Sequence, residues 1–429
     1  MTTETLYQLF LEHPRVCTDS RNILPGSIFF ALKGDHFNGN EFASGALESG
    51  AAFAVIDEPA FQKDDRHLLV KDALESLQQL AACHRKKFSI PVLAVTGTNG
   101  KTTTKELMRE VLAKRYRVVA TGGNLNNHIG VPLTLLQIDT ETEIAVIEMG
   151  ANHPGEIDFL CRIADPGYGL ITNIGKAHLE GFNGFEGVVR TKTELFRYIR
   201  ERKGMVFLNA DDPLLTEHSE GLQRFTYGLS GRAEVTGSVT KSLPSVSMEF
   251  RSGKGSWKVD SKLFGSYNAL NILAAASVGI FFKVDPALIR EAIENYAPAN
   301  NRSQVKESGR NLLVMDAYNA NPDSMRLAIE NFTASAFADK MVILGDMLEL
   351  GKETDAEHNA ILELLAEKKL EKVYLVGPVF TRLNVKREWH CFQDSDLARL
   401  WFEHHQPEGA SILVKGSRGM KLEKVMEVL

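Results

Sequence analysis

The chain has 429 residues, with 49 basic and 55 acidic side chains and a formal charge of −6; that is room for about three domains, each able to bury a core. With no polybasic block or tail, a nucleic-acid partner is not expected, whereas small-molecule substrates are. No run approaches the ~18 to 20 apolar residues of a membrane helix and the first residues lack signal-peptide order, so a cytoplasmic protein without membrane insertion is expected.

Residues 1 to about 85 hold short apolar runs at 27–32 and 51–56, broken by Gly, Asn and Asp, then a helical stretch at 73–87. They predict a small α/β module ending before Pro91. From there, apolar runs at 91–95, 117–120, 143–147, 168–172 and 205–208 alternate with helical patterns, which predicts a parallel sheet covered by helices. Between 233 and 264 the period shifts to two with turn residues, predicting antiparallel hairpins appended to that sheet. Helices are predicted at 267–282 and 286–296. The stretch 297–301 (Ala-Pro-Ala-Asn-Asn) has linker composition and is the candidate hinge. Strands at 312–315, 341–344, 373–376 and 411–414, again alternating with helices, predict a separate final α/β unit. Cys17, Cys83, Cys161 and Cys391 have no metal or redox spacing and are expected to be reduced and structural.

The most informative segment is 95–104, Val-Thr-Gly-Thr-Asn-Gly-Lys-Thr-Thr-Thr. It follows a buried-strand run, and 105–114 sets Leu107, Met108, Val111 and Leu112 at helical spacing, so the turn joins a strand to a helix. There, backbone N–H groups and the positive end of the helix dipole converge on anions, while Gly97 and Gly100 let the backbone come close. Lys101 is placed for the β and γ phosphates of a nucleoside triphosphate, and the Thr102 hydroxyl for Mg²⁺. The usual spacing, Gly-x4-Gly-Lys-Ser/Thr, wants glycine where Val95 stands, so the loop is a shortened one built on Gly97. The competing reading is an ordinary strand-to-helix turn.

In an open α/β sheet, ligands sit beyond the carboxyl ends of the strands. Run 143–147 ends in Glu148, placed for a nucleotide's Mg²⁺ or simply solvated at a strand tip. Run 168–172 leads to His178 on the same rim, a metal ligand or a plain surface or core histidine. The glycine- and asparagine-rich segment 121–130, with Asn124, Asn126 and Asn127, could orient a polar second substrate or be only a turn. Lys192, on a predicted helix over 187–196, is locally indistinguishable from a solvent-facing lysine.

Taken in order, these motifs resemble the Mur ligase family, ATP-dependent amide-forming enzymes of peptidoglycan precursor synthesis. The runs are 18–21 (Thr-Asp-Ser-Arg), 29–34, 97–103, 123–127 (Gly-Asn-Leu-Asn-Asn), 148–152, 178–182, 267–271, 316–322 (Asp-Ala-Tyr-Asn-Ala-Asn-Pro), 344–347 and 415–419 (Lys-Gly-Ser-Arg-Gly), spread over nearly the whole chain. The Gly-Asn-Leu-Asn-Asn and Tyr-Asn-Ala-Asn-Pro runs make it most like the branch that adds D-alanyl-D-alanine to a UDP-N-acetylmuramoyl tripeptide through an acyl phosphate. The Asp-Asn-Pro-Arg run of the diaminopimelate-adding branch is absent.

The resemblance implies an α/β fold of three domains: residues 1–88 binding the UDP precursor, 89–298 as a P-loop ATPase-like mostly parallel sheet with appended antiparallel strands, and 299–429 as a Rossmann-like domain closing over ATP and binding the dipeptide. It implies ATP and two Mg²⁺ ions. Gly97, Thr98, Asn99, Gly100, Lys101, Thr102 and Thr103 would hold ATP, with Asn268 and Asn271 at the adenine and Arg302, Asp316, Tyr318 and Asn319 closing over phosphates and ribose. Thr102, Glu148, His178 and a carbamylated Lys192 would hold the metals, and Lys101, Lys192, Glu148 and His178 would form the catalytic set. Ser20, Arg21, Gly34, Asn124, Asn126, Asn127, Asn321, Lys415 and Ser417 would contact substrate, the uridine side being marked by a departure, Asn38-Gly39-Asn40, where many relatives read Asp-Gly-His. A monomer is expected. The alternatives are a folylpolyglutamate synthase-like ligase, which shares the phosphate loop, and a catalytically silent nucleotide- and precursor-binding protein.

Overall fold

The computed structural model describes residues 1–253, 255–298, 302–384 and 388–429, so 299–301 of the candidate hinge lie outside the described residues. The chain builds three main sheets. The largest has nine strands in the order Gly255–Phe264, Ser245–Ser252, Val235–Lys241, Gln223–Gly228, Met205–Asn209, Tyr168–Ile171, Val92–Thr96, Ile144–Glu148 and Val118–Ala120. From Val118–Ala120 through Val235–Lys241 all pairings are parallel; the last two strands are antiparallel, as the period-two pattern predicts. Strand Gln223–Gly228, exposed at its start, carries no apolar run and is absent from the sequence reading.

Val92–Thr96 is buried at every position, as a strand covered on both faces must be, which is why it reads as an unbroken apolar run. After it the chain goes to the edge strand Val118–Ala120, returns to Ile144–Glu148 on one side, and then crosses to Tyr168–Ile171 on the other. The direction of winding therefore reverses between Val92–Thr96 and Tyr168–Ile171, where a crevice opens at the strand tips.

The helix after Val92–Thr96 starts at Lys101, four residues earlier than its apolar spacing suggests, so Lys101 to Thr104 form its first turn. The helix expected over 187–196 is two, Phe185–Lys192 and Glu194–Glu201, which meet at Thr193.

The amino-terminal sheet, Val16–Cys17, Ile28–Phe30, Phe53–Ile56 and His67–Leu69, is parallel throughout. Strand alternation sends Phe29, Ala54 and Ile56 to one face under the helix Ala43–Glu48, and Ile28, Phe30 and Val55 to the other. That second face does not close a core of its own: it is continuous, through Phe10, Leu77 and Leu80, with Leu135, Ile157 and Leu160 on the helices of the central sheet. The carboxy-terminal sheet runs Gln304–Glu307, Leu312–Met315, Ser411–Lys415, Lys340–Gly345, Lys372–Val376 and His390–Phe392, all parallel except the first. Separate apolar clusters cover its two faces.

Candidate active site

The tips of Val92–Thr96, Ile144–Glu148 and Tyr168–Ile171 open into a cavity of about 940 Å³ whose opposite wall comes from the carboxy-terminal sheet. At its floor the loop after Val92–Thr96 is held too tightly for any side chain at two glycines. Gly97 has φ 138°, and a Cβ there would meet Thr172 Oγ1 at 2.0 Å; Gly100 has φ 79°, and its Cβ would meet Asn271 Oδ1 at 2.6 Å. Asn99 and Thr98 are tied to the neighbouring strand tip through Asn173 and Gly175.

Lys101 Nζ donates to Gly97 O at 2.7 Å and Thr98 O at 3.0 Å, so the ammonium lies within the loop's own curve. Burial lowers its pKa to about 8, with Arg302 adding to the fall and Glu148 opposing it. It is still mostly charged at pH 7, and among the described residues its hydrogen-bond partners are backbone oxygens alone.

Glu148, 1% exposed, ends the strand Ile144–Glu148. Its Oε1 accepts from Thr102 Oγ1 at 3.0 Å and from Asn126 Nδ2 at 2.8 Å, while its buried Oε2 has no hydrogen-bond partner among the described residues. An unpartnered buried carboxylate oxygen is costly unless a cation or donor arrives. No three His, Cys, Asp or Glu side chains cluster as a metal cage among the described residues. One carboxylate and one hydroxyl are nevertheless the sparse donor set that suits Mg²⁺ when phosphates and water complete its shell.

His178 lines the same cavity in a left-handed conformation (φ 51°), its Nδ1 in ion-pair contact with Glu349 of the carboxy-terminal unit. The ring holds the Glu349 carboxyl below the usual carboxylate range. Lys192 is not a solvent-facing lysine: it is 2% exposed, with Nζ 5.5 Å from the Phe182 ring centre. Burial, reinforced by Lys101, pushes its ammonium far below the ordinary lysine range, against Glu156 and Glu194.

Asn268 and Asn271 are buried on the first turn of the helix Asn268–Phe281. Asn271 bonds Asn268 and accepts from Thr104, which buttresses the loop from behind. From the far wall, the Arg302 guanidinium lies 3.5 Å over the Tyr318 ring. Asp316 accepts from Lys415 Nζ at 2.6 Å and from Ser303 N at 3.1 Å, while Ser417 bonds Ala320 O and Leu348 N. Asn319 turns its Oδ1 to Ala320 N. Asn321 caps the helix Pro322–Ala334 and donates to Asn99 Oδ1 at 2.8 Å, joining the far wall to the phosphate-type loop. Thr103 and Asn124 also line the cavity; Asn127 does too, although its Oδ1 is committed to Ile129 N and Gly130 N within its own turn.

Ser20, Arg21 and Gly34 are not brought to this cavity: they lie in the amino-terminal unit, Arg21 exposed and paired with Asp19. Gly34 sits in a two-stranded hairpin under the Phe37 ring. In the divergent Asn38-Gly39-Asn40 run, Asn40 is buried and bonds Asp57, and a Cβ at Gly39 would meet Leu32 O at 2.2 Å, so that turn is held by packing. Glu349 and Asp323 line the cavity without having been singled out, and Arg418, which stands inside the quoted run 415–419, lines it without having been given a role. The only signal for Glu349 and Asp323 was proximity to the quoted runs at 344–347 and 316–322.

Comparison with known proteins gives this geometry a lineage. Residues 15–89 match the family described as Mur ligase family, catalytic domain, 95–279 the Mur ligase middle domain, and 301–418 the Mur ligase, glutamate ligase domain. The chain is 33% identical over 427 residues to UDP-N-acetylmuramoyl-tripeptide--D-alanyl-D-alanine ligase of Bacillus subtilis (strain 168), covering 96% of this chain and 92% of that protein. It belongs to the Mur ligase family. Among solved Mur ligases, MurF from Acinetobacter baumannii superposes with a TM-score of 0.85 at 32% identity, covering 96% of this chain and 92% of that one. MurF ligase from Thermotoga maritima, in complex with ADP, superposes with a TM-score of 0.83 at 29% identity and 97% coverage of both chains. No helix among the described residues of this Mur ligase is long and apolar enough to cross a membrane.

Proposed function

We propose that this chain is an ATP-dependent amide ligase that adds D-alanyl-D-alanine to UDP-N-acetylmuramoyl-tripeptide in peptidoglycan precursor synthesis. A carboxylate and an amine at neutral pH form only a salt, because the carboxylate oxygen is a poor leaving group. An oxygen of the tripeptide's terminal carboxylate therefore attacks the γ-phosphorus of ATP; the β–γ bridging bond breaks and ADP leaves. The dipeptide amine then attacks the resulting acyl phosphate, loses a proton, and phosphate departs as the amide forms.

The observation that carries this reading is the buried Glu148 carboxylate, with one oxygen on Thr102 and Asn126 and the other unpartnered, on a cavity floor it shares with Lys101. Lys101 exchanges its loop carbonyls for the β and γ phosphates. Thr102 and Glu148 would hold one Mg²⁺, and His178 with a carbamylated Lys192 a second; ions there would neutralise charge on the phosphoryl oxygens so that two anions can meet. Burial supports the carbamate, since it favours the neutral Lys192 amine that CO₂ requires. As the new N–C bond forms, the amine loses one proton, so a neutral amine becomes an anion.

The loop from Gly97 to Thr103 binds the triphosphate, Asn268 and Asn271 lie at the adenine, and Arg302, Asp316, Tyr318 and Asn319 cover ribose and phosphates. Ser20, Arg21 and Gly34 serve the uridine end, Asn124, Asn126 and Asn127 the peptide, and Asn321, Lys415 and Ser417 the dipeptide. Working boundaries at 1–88, 89–298 and 299–429 are supported by the three sheets, each of which falls within one of these spans. Excluding water protects the acyl phosphate, and the wall formed by the last unit serves that end.

Phosphate release that needs ATP, the muramoyl tripeptide and the dipeptide together tests the reading. Lys101→Ala is expected to lower kcat by at least ~10³-fold with an unchanged melting curve; normal turnover would refute its role. Lys192→Ala should be nearly inactive and partly rescued by short carboxylates, and full activity without them would exclude the carbamate.

A further inference from the structure

The incoming dipeptide carries a terminal carboxylate as well as the attacking amine, and two extended residues separate these ends by about 7 Å. A cation for that carboxylate must therefore stand apart from the phosphates. Most basic side chains along the cavity are already committed: Lys101 to its loop, Lys415 to Asp316, and Arg326 to Glu330. Arg302 is stacked on the Tyr318 ring at 3.5 Å and is assigned above to the nucleotide. Arg418 remains. It is exposed at the cavity wall and has no carboxylate within ion-pair distance among the described residues.

Its Nη1 donates to the Tyr318 hydroxyl at 3.1 Å and its guanidinium carbon lies 5.3 Å from the Tyr318 ring centre. That contact fixes the planar fork and leaves the remaining donors free for a two-point bond to a carboxylate. Lys415 and Ser417, assigned above to the dipeptide, are buried and bonded within their own unit, and the same turn presents Arg418 at the cavity. We propose that Arg418, steadied by Tyr318, anchors the terminal carboxylate of the incoming dipeptide and so selects a free acid at that end; this rests on the ligase reading above.

The test pairs D-alanyl-D-alanine with its C-terminal amide in wild type, Arg418→Ala and Arg418→Lys. Wild type is expected to prefer the acid by roughly 30- to 100-fold in kcat/KM, the scale of a charge-assisted hydrogen-bond pair. Arg418→Ala should use acid and amide within about 3-fold of each other, and Arg418→Lys should recover part of the preference, with KM for ATP within about 2-fold of wild type for both. Equal use of acid and amide by wild type, or an undiminished preference in Arg418→Ala, would overturn the proposal. A KM for ATP that rises as much as that for the dipeptide would overturn it too, by moving Arg418 to the nucleotide. Absence of any ligation by wild type would instead refute the ligase reading, and this inference with it.

Discussion

The two ends of the chain are attached to the nucleotide-type sheet by different physics. The amino-terminal unit is welded on by apolar contact: Phe10, Leu77 and Leu80 share one cluster with Leu135, Ile157 and Leu160 of the central unit. The buried Arg85 reinforces it by donating to Ala164 O, and His84 by bonding Ile138 O. The carboxy-terminal unit has two cores, one of which takes in Phe264 from the end of the central sheet, stacked on Phe337; near the cavity it meets the central unit mainly through polar groups: Asn321 to Asn99, Asp323 to the Lys176 amide, Lys176 to Glu357, and Glu349 to His178. Apolar welds lose free energy when parted by even a small gap, whereas polar contacts can be exchanged for water at small net cost. The difference supports the proposed division of labour, in which the first unit holds the precursor and the last closes over the nucleotide.

The sharpest way to break this contrast is at the weld. Leu80→Ala, at a position with no exposure, should cost about 2–5 kcal/mol, read as a lower urea midpoint, and an unchanged midpoint would mean the units do not share a core. On the other side, Gly175 lies so close to the last unit that a Cβ would meet Asp323 Oδ2 at 2.5 Å. Gly175→Ala should therefore lower kcat/KM about 10- to 100-fold by displacing the far wall, with little change in the urea midpoint. Activity within 2-fold of wild type would show that this contact does not set the wall.

Acid provides a milder probe of the weld. Burial lowers the pKa of His84, which in its neutral form donates from Nε2 to Ile138 O and can accept from the Tyr7 hydroxyl. Its contribution is complete above the unfolded histidine value of about 6.5 and is lost as pH falls below it, because the unfolded chain then takes a proton that the folded chain resists. Stability should fall between pH 7.5 and 5.5, and less so in His84→Gln; equal slopes would remove His84 from the account. The smallest effect is expected at Lys176→Ala, whose half-exposed pair with Glu357 is worth under ~1 kcal/mol and should leave the urea midpoint almost unmoved.

Much of this was legible in the chain because parallel strands covered on both faces are unbroken apolar runs, and because a loop that binds phosphate needs glycine at two close approaches. Gln304–Glu307 and His390–Phe392, at the two edges of the last sheet, were not legible, since edge strands carry polar or mixed residues. The shared core was hidden for another reason: Leu77 and Leu80 read as the apolar face of any helix, and nothing local says which sheet they cover. The burial of Lys192 and the approach of Glu349 to His178 likewise arise from packing between segments far apart in sequence, and no spacing rule encodes them.

The central claim is that ATP makes an inert acid reactive above Lys101 and Glu148. It is tested most directly by labelling the tripeptide's terminal carboxylate with ¹⁸O and analysing the phosphate released during ligation by mass spectrometry. The account predicts one ¹⁸O atom in each phosphate formed from fully labelled acid. Phosphate without label, alongside normal amide formation, would contradict an acyl phosphate and the assignment built on it.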